Sequence, residues 1–271
     1  MQNILDFAID IALEAGALIR ENATQVQQVR FKGTVNPVTE TDTAVEALLI
    51  SRLTAAFPDH LILGEEFGGH GQQADRPIWM IDPLDGTNNF AHGFPHFCVS
   101  IGLVVAGAPA IGVVYDPMRN EVFSARKGAG AYLNGLPIRV SLAPTLRDAF
   151  LSTGFSYDRR VAADNNTLML DHFLRRSQGV RRTGSAALDL AYVACGRLDG
   201  YWEAHLNPWD VAAGALLVTE SGGRVSDYAG SLARVYSGEE MVASNGTIHP
   251  EMLSVLRDGP AAPHPDFPRL S

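Results

Sequence analysis

The stretch that most restricts the fold is Ile78-Trp79-Met80-Ile81 running straight into Asp82-Pro83-Leu84-Asp85-Gly86-Thr87. A short apolar run bounded by turn residues reads as a buried strand. Two carboxylates, three positions apart, come off its end, and a Gly-Thr pair then turns the backbone and starts a helix. Carboxylates crowded at a strand end repel one another unless cations sit between them, so the segment points to a metal site. The N–H groups of the following helix would suit a phosphate. Metal-assisted phosphate chemistry is the first expectation.

Bulk properties agree with a globular enzyme. A chain of 271 residues with 46% hydrophobic content can bury a sizeable core, as one large unit or two closely fused halves. No segment approaches 18 consecutive apolar residues, so no membrane span is expected, and Met1 to Asp6 lacks the pattern of a secretion signal. Cys98 and Cys195 each lie in apolar stretches and read as buried reduced thiols, which favours a cytoplasmic protein. The net charge of −9 argues against a nucleic-acid surface. Arg175-Arg176 and Arg181-Arg182 read as a solvated helix end and strand start. An acidic protein acting on an anionic substrate needs bound cations, as the opening segment already suggests.

The pattern along the chain predicts alternating elements. Residues 3–22 carry a helical apolar face, a polar Gly- and Pro-containing loop covers 30–37, and a second helix starts near Thr41 or Asp42 and ends before Pro58. Short strands are expected at 61–63, 78–81, 99–105, 110–115 and 121–125, with Asn134-Gly135 a strong turn signal. After about residue 145, helices near 160–176, 185–195 and 209–221 alternate with strands near 148–152, 199–203 and 224–226, which predicts a second α/β layer set. Residues 1–258 are expected to form one catalytic unit, with an N-terminal part to about 145 and a C-terminal part from about 146. The tail over 259–271 reads as a Pro-rich extension.

Four places offer acids. Glu65 follows the strand 61–63 within Gly64-Glu65-Glu66; Asp82 and Asp85 come next; Asp210 follows Pro208-Trp209; Asp42 opens the second helix. Each alone reads as a solvated turn or a helix cap. Together they sit at element ends from distant parts of the chain, where they can converge. Mg2+ takes oxygen ligands and keeps some of its water. The five carboxylates sum to a formal −5, which two or three such ions would bring near neutral for a phosphate dianion. His92 and His96 around Gly93-Phe94-Pro95 read as surface histidines in a turn. Gly128-Ala129-Gly130 lacks the third glycine of a dinucleotide loop and is rejected.

Gly64-Glu65-Glu66, Asp82-Pro83-Leu84-Asp85-Gly86-Thr87-Asn88-Asn89-Phe90 and Trp209-Asp210-Val211-Ala212-Ala213-Gly214 resemble the signatures of the inositol monophosphatase family, in the same order and spacing. The resemblance implies an α-β-α-β-α sandwich of the inositol monophosphatase and fructose-1,6-bisphosphatase type, an α/β fold with the site between halves, and a homodimer. It implies Mg2+ held by Glu65, Asp82 and the Leu84 carbonyl, a second ion held by Asp82, Asp85 and Asp210, and a weaker third on Glu65 and water. Thr87, paired with Asp42, would activate the attacking water together with Glu65. The N–H groups of Gly86 and Thr87 would meet phosphate. Gly184-Ser185-Ala186, Glu203, Asp85 and Asp210 would face the substrate, and Lys32 would be a lid residue. Asn36 stands where the family often has Asp, and that loop is one residue short.

The implied activity is hydrolysis of a small-molecule phosphate monoester, inositol monophosphate or a similar sugar phosphate, with sensitivity to Li+. Fructose 1,6-bisphosphate, histidinol phosphate, 3′-phosphoadenosine 5′-phosphate and NADP are the alternatives within the superfamily. An aspartyl-phosphate-forming phosphatase is disfavoured because its two acids stand two apart, not three. A non-catalytic regulator that keeps the fold is disfavoured by the full acidic set.

Overall fold

The computed structural model describes residues 1–23, 29–32, 36–69, 76–156 and 166–258, with backbone alone for 29–32 and 36–38. The expected Pro-rich tail over 259–271 lies outside them. Helix α1 (Gln2–Asn22) buries Leu5, Ala8, Ile11, Ala12, Ala15 and Ile19 along one stripe, the helical spacing visible in the sequence. Strands β1 (Val29–Lys32) and β2 (Asn36–Thr39) then pair antiparallel, Lys32 opposite Asn36. This corrects the loop expected over 30–37: Gly33 and Pro37 read locally as breakers, while cross-strand pairing decides the structure. Helix α2 (Glu40–Ala56) opens with a Thr39–Asp42 capping box and stops before Pro58.

The first large sheet follows: β3 (Leu61–Gly64), β4 (Ile78–Asp85), the short helix α3 (Thr87–Ala91), then β5 (Cys98–Val105), β6 (Ala108–Asp116), β7 (Glu121–Arg126), β8 (Ala131–Leu133) and β9 (Leu136–Pro137). These strands lie in sequence order in one seven-stranded sheet. β3 and β4 are parallel and the remaining neighbours antiparallel. Asn134-Gly135 closes the last hairpin, both residues at positive φ.

The second half builds β10 (Phe150–Thr153), α4 (Thr167–Leu174), β11 (Gly179–Arg181), α5 (Ala186–Ala194), β12 (Gly200–Ala204), α6 (Pro208–Glu220), β13 (Arg224–Ser226), β14 (Glu240–Ser244) and α7 (His249–Asp258). Its five strands are ordered β11-β10-β12-β14-β13. The early part of the helix expected over 160–176 falls outside the described residues.

Three apolar clusters stack the elements into layers. Leu5, Ile11, Leu49 and Trp79 join α1 and α2 to one face of the large sheet. Val114, Phe123, Leu190, Val211 and Leu217 join its other face to α5 and α6, which also cover the small sheet through Tyr201 and Ala243. Phe173, Trp202, Val242 and Met252 pack α4 and α7 on the far side. The order is α-β-α-β-α, as the resemblance implies. The inner contact is tight because α6 presses small residues on strand glycines: a Cβ at Gly112 would stand 2.7 Å from the Ala213 carbonyl oxygen. That approach carries the start of α6, with Asp210, to the carboxyl end of β4.

Two local expectations are corrected. Cys195 is only partly buried, because it ends α5 where the chain turns outward; Cys98 is buried as expected. His96 is buried rather than exposed. Its ring packs edge-on to Tyr192, and burial pushes it down to about 4, so it is neutral. Arg182 is exposed, as expected of a solvated cluster, and also lines the cavity between the two halves. Among the described residues no helix is long and apolar enough to cross a membrane.

Candidate active site

The cavity between the two halves is lined by Glu65, Asp82, Leu84, Asp85, Gly86 and Thr87 from the first half, and by Gly184, Ser185, Ala186, Glu203 and Asp210 from the second. Strand β4 runs through Asp85 instead of ending at Ile81. Its pairing with β5 slips between Asp82, opposite Ser100, and Asp85, opposite Cys98. A bulge of this kind re-aims side chains, and here it brings both carboxylates to the cavity. Gly86 then takes φ +100°, a left-handed conformation that a glycine holds without strain, and α3 begins at Thr87.

Each acid is held by its own local device. The Leu84 N–H donates to Asp82 Oδ1 (2.9 Å). Asp85 Oδ2 accepts from the Ser185 hydroxyl (2.7 Å) and the Ala187 N–H (2.7 Å) at the start of α5. Asp210 Oδ2 accepts from the Asn207 N–H (2.7 Å) in a capping box at the start of α6. Asp42 stands just behind the cavity wall. Its Oδ2 accepts from the Thr39 N–H (2.8 Å) and its Oδ1 from the Thr87 hydroxyl (2.9 Å). Asp42 and Asp210 are therefore both helix caps; Asp210 also lines the cavity, and Asp42 reaches it through Thr87. The Lys32 side chain lies outside the described structure.

The electrostatics show how closely these acids converge. Burial, followed by the charges of Glu65, Asp85 and Asp210, pushes Asp82 well above the usual carboxylate range. Burial and the Asp85 charge push Asp210 up to about 7. Asp85 is raised by burial, partly offset by its bonds from Ser185 and the α5 start. Asp42 is likewise raised by burial against its hydrogen bonds. The ligands on offer are carboxylate and carbonyl oxygens without nitrogen or sulfur, which suits a hard cation such as Mg2+. Among the described residues no three His, Cys, Asp or Glu side chains gather closely enough to hold an ion by themselves. An ion here would complete its shell with carbonyl, water or substrate oxygen, as Mg2+ commonly does.

The cavity also contains Asp189 and Arg182, which the sequence motifs do not mark as site residues. Asp189 lies in its wall, buried within the apolar helix α5, and accepts from the Thr183 hydroxyl (2.6 Å). A lone acid in that apolar run is the signal that marks it. Arg182 supplies positive charge beside Glu203, which burial raises to about 7 and which accepts from the Tyr201 hydroxyl. Asn89 ties the halves together through one amide group, donating to the His96 carbonyl (2.7 Å) and the Thr183 carbonyl (2.9 Å).

Comparison with known proteins agrees with this architecture. The sequence profile of the inositol monophosphatase family matches residues 1–260. An inositol-1-monophosphatase from Synechocystis is 47% identical over 261 residues, 96% of this chain and 91% of that one. The Nus factor SuhB of Escherichia coli is 43% identical over 261 residues, 95% of this chain and 97% of that one. The solved structure of an inositol monophosphatase from Anabaena superposes with a TM-score of 0.86 at 44% identity, covering 97% of each chain.

Proposed function

The chain belongs to the inositol monophosphatase family, and from that premise we propose that it is a Mg2+-dependent phosphomonoesterase acting on inositol monophosphate or a similar polyol phosphate. The observation that carries this reading is the set of four mutually repelling carboxylates, Glu65, Asp82, Asp85 and Asp210, around one cavity. Glu65, Asp82 and the Leu84 carbonyl would hold one ion, Asp82, Asp85 and Asp210 a second, and Glu65 with water a weaker third. Bound Mg2+ supplies a lowered water pKa and neutralises charge on the leaving oxygen.

The protein groups would handle the water and its proton. The Thr87 hydroxyl directs its hydrogen to Asp42 Oδ1 (2.9 Å) and the Leu84 carbonyl (3.0 Å). An oxygen lone pair is thus left to accept from the attacking water. Glu65, on the other side, takes the proton as the water oxygen bonds to phosphorus. The bond from phosphorus to the alcohol oxygen breaks, and that oxygen takes a proton from solvent water and leaves as the free alcohol. The nucleophile is water, so no phospho-enzyme forms. The Gly86 and Thr87 N–H groups would contact phosphate, and the Gly184-Ser185-Ala186 turn and Glu203 would meet polyol hydroxyls. We place this enzyme in the cytoplasm as a homodimer, on its reduced cysteines and the family resemblance.

Phosphate release with Mg2+, measured across inositol monophosphate, fructose 1,6-bisphosphate, histidinol phosphate, 3′-phosphoadenosine 5′-phosphate and NADP, tests the substrate. Fastest turnover on the inositol ester with inhibition by Li+ is expected; preference for another ester reassigns the branch. The likeness to SuhB raises a second reading, a regulator that does not turn over substrate. The intact acid set favours catalysis, since buried repelling carboxylates cost stability that a retired site has no reason to bear. Glu203→Gln is expected to raise KM for the inositol ester about 10-fold, because a charge-assisted hydrogen bond to a hydroxyl is weakened. An unchanged KM would place the polyol elsewhere.

A further inference from the structure

Helix α2 carries a second buried acid one turn beyond Asp42. Glu46 is completely buried. Its Oε2 accepts from the Glu66 N–H (2.7 Å) and its Oε1 from the Phe67 N–H (3.2 Å). Those are the two amides that directly follow Glu65. On the other side of Glu65, a Cβ at Gly64 would stand 1.8 Å from Glu46 Oε1, so the carboxylate occupies the space that any other side chain would need. Asp42 and Glu46 are four residues apart, hence on one face of α2. The first holds the Thr87 hydroxyl (2.9 Å) and the second holds the turn that bears Glu65.

We propose that Glu46 is a positioning residue for hydrolysis, fixing the Glu65 turn relative to Thr87 through a single rigid helix face. This rests on the reading that Glu65 and Thr87 handle the attacking water. A fully buried carboxylate is a poor device for stability alone, since an apolar side chain of similar volume often serves as well or better. What it provides here is geometry. Two charge-assisted bonds fix the backbone next to Glu65, and Asp42, on the same helix, fixes its partner. A helix is stiff over one turn, so α2 sets the separation of the two water-handling groups by holding the turn that bears Glu65 and the Thr87 hydroxyl from one face.

Glu46→Gln in the full chain tests this. Its amide keeps one acceptor and presents an N–H to a backbone N–H, so the turn loosens. The expected result is a kcat lower by about 10- to 100-fold, as small misplacements of catalytic groups give, with KM within roughly 3-fold. In the metal-free protein, hydrogen exchange at the Glu66 and Phe67 amides is expected to speed up, a readout independent of turnover. Glu65→Gln tests the underlying reading separately: if it keeps full activity, that reading fails. If Glu65→Gln is inactive while Glu46→Gln keeps wild-type kcat, the role of Glu46 alone fails. Adding Glu46→Gln to Glu65→Gln is expected to cause no further loss, and a fully additive loss would overturn the coupling. Should Glu46→Gln not fold, wild-type exchange still decides, because unprotected Glu66 and Phe67 amides would overturn the proposal.

Discussion

Asp82→Asn is expected to lower kcat by about 10³-fold while raising the melting temperature of the metal-free protein. The two effects have one cause. Asp82 is nearly fully buried, and its carboxylate faces the charges of Glu65, Asp85 and Asp210. An asparagine keeps the oxygen that accepts from the Leu84 N–H at 2.9 Å, so the bulge of β4 survives. What disappears is the charge shared between the two proposed ion positions. Loss of preorganised electrostatic stabilisation of this kind costs about 10²- to 10³-fold in turnover, and here two ions would be weakened together. Without metal, the same substitution relieves burial and repulsion. Relief of about 1–2 kcal/mol raises the melting temperature by roughly 2–8 °C in a chain of this size. Phosphate release and thermal melts in EDTA check both halves. Wild-type kcat in Asp82→Asn would remove the carboxylate cluster from the chemistry, and a lower melting temperature would mean that its charge is compensated in the folded protein.

The layers of the fold were readable where apolar spacing is regular. Leu5 to Ile19 mark α1, Val45, Leu49 and Leu53 mark α2, and Asn134-Gly135 marks the last turn of the large sheet. The β1–β2 pairing escaped, although it is local in sequence, because Gly33, Asn36 and Pro37 read as breakers. Glu240–Ser244 is too short to stand out, and His249–Asp258 was not anticipated although Met252, Leu253, Val255 and Leu256 give it a helical apolar face; the strand pairs with β12 and the helix packs on the cluster around Trp202. The acids were readable only as a set. Asp42 and Asp210 satisfy capping boxes, so local pattern cannot separate a cap from a site residue; Asp210 caps α6 and also lines the cavity, while Asp42 caps α2 and bonds the cavity residue Thr87. Glu46, Asp189 and Arg182 were missed for a different reason. Their meaning lies in what faces them across the fold: the Glu66 N–H, the Thr183 hydroxyl and the Glu203 carboxylate.

The second large effect concerns the same acids and their protons. Stabilisation by Mg2+ is expected to be small at pH 5 and large at pH 8. Asp210 and Glu203 are raised to about 7 by burial, and Asp82, Asp85 and Asp189 are raised as well. In the unfolded chain such groups lose their protons near pH 4. Between about 4 and 7 the folded protein therefore binds more protons than the unfolded one, and stability falls as pH rises through that window. The contribution of these groups is fully present below about pH 4 and is lost above about 7. Divalent ions at the proposed positions would reverse the loss, because they would bind the deprotonated carboxylates and compete with protons for them. At about 100 times its dissociation constant, one ion stabilises by roughly 2.7 kcal/mol, or about 5–10 °C at this chain length. Melts at pH 5 and pH 8, each with EDTA and with excess Mg2+, measure the difference directly. A Mg2+ shift equally large at both pH values would mean that the ion binds away from these carboxylates. A shift that grows with pH and is halved or more in Asp82→Asn ties metal, proton and turnover to the carboxylates that end β4.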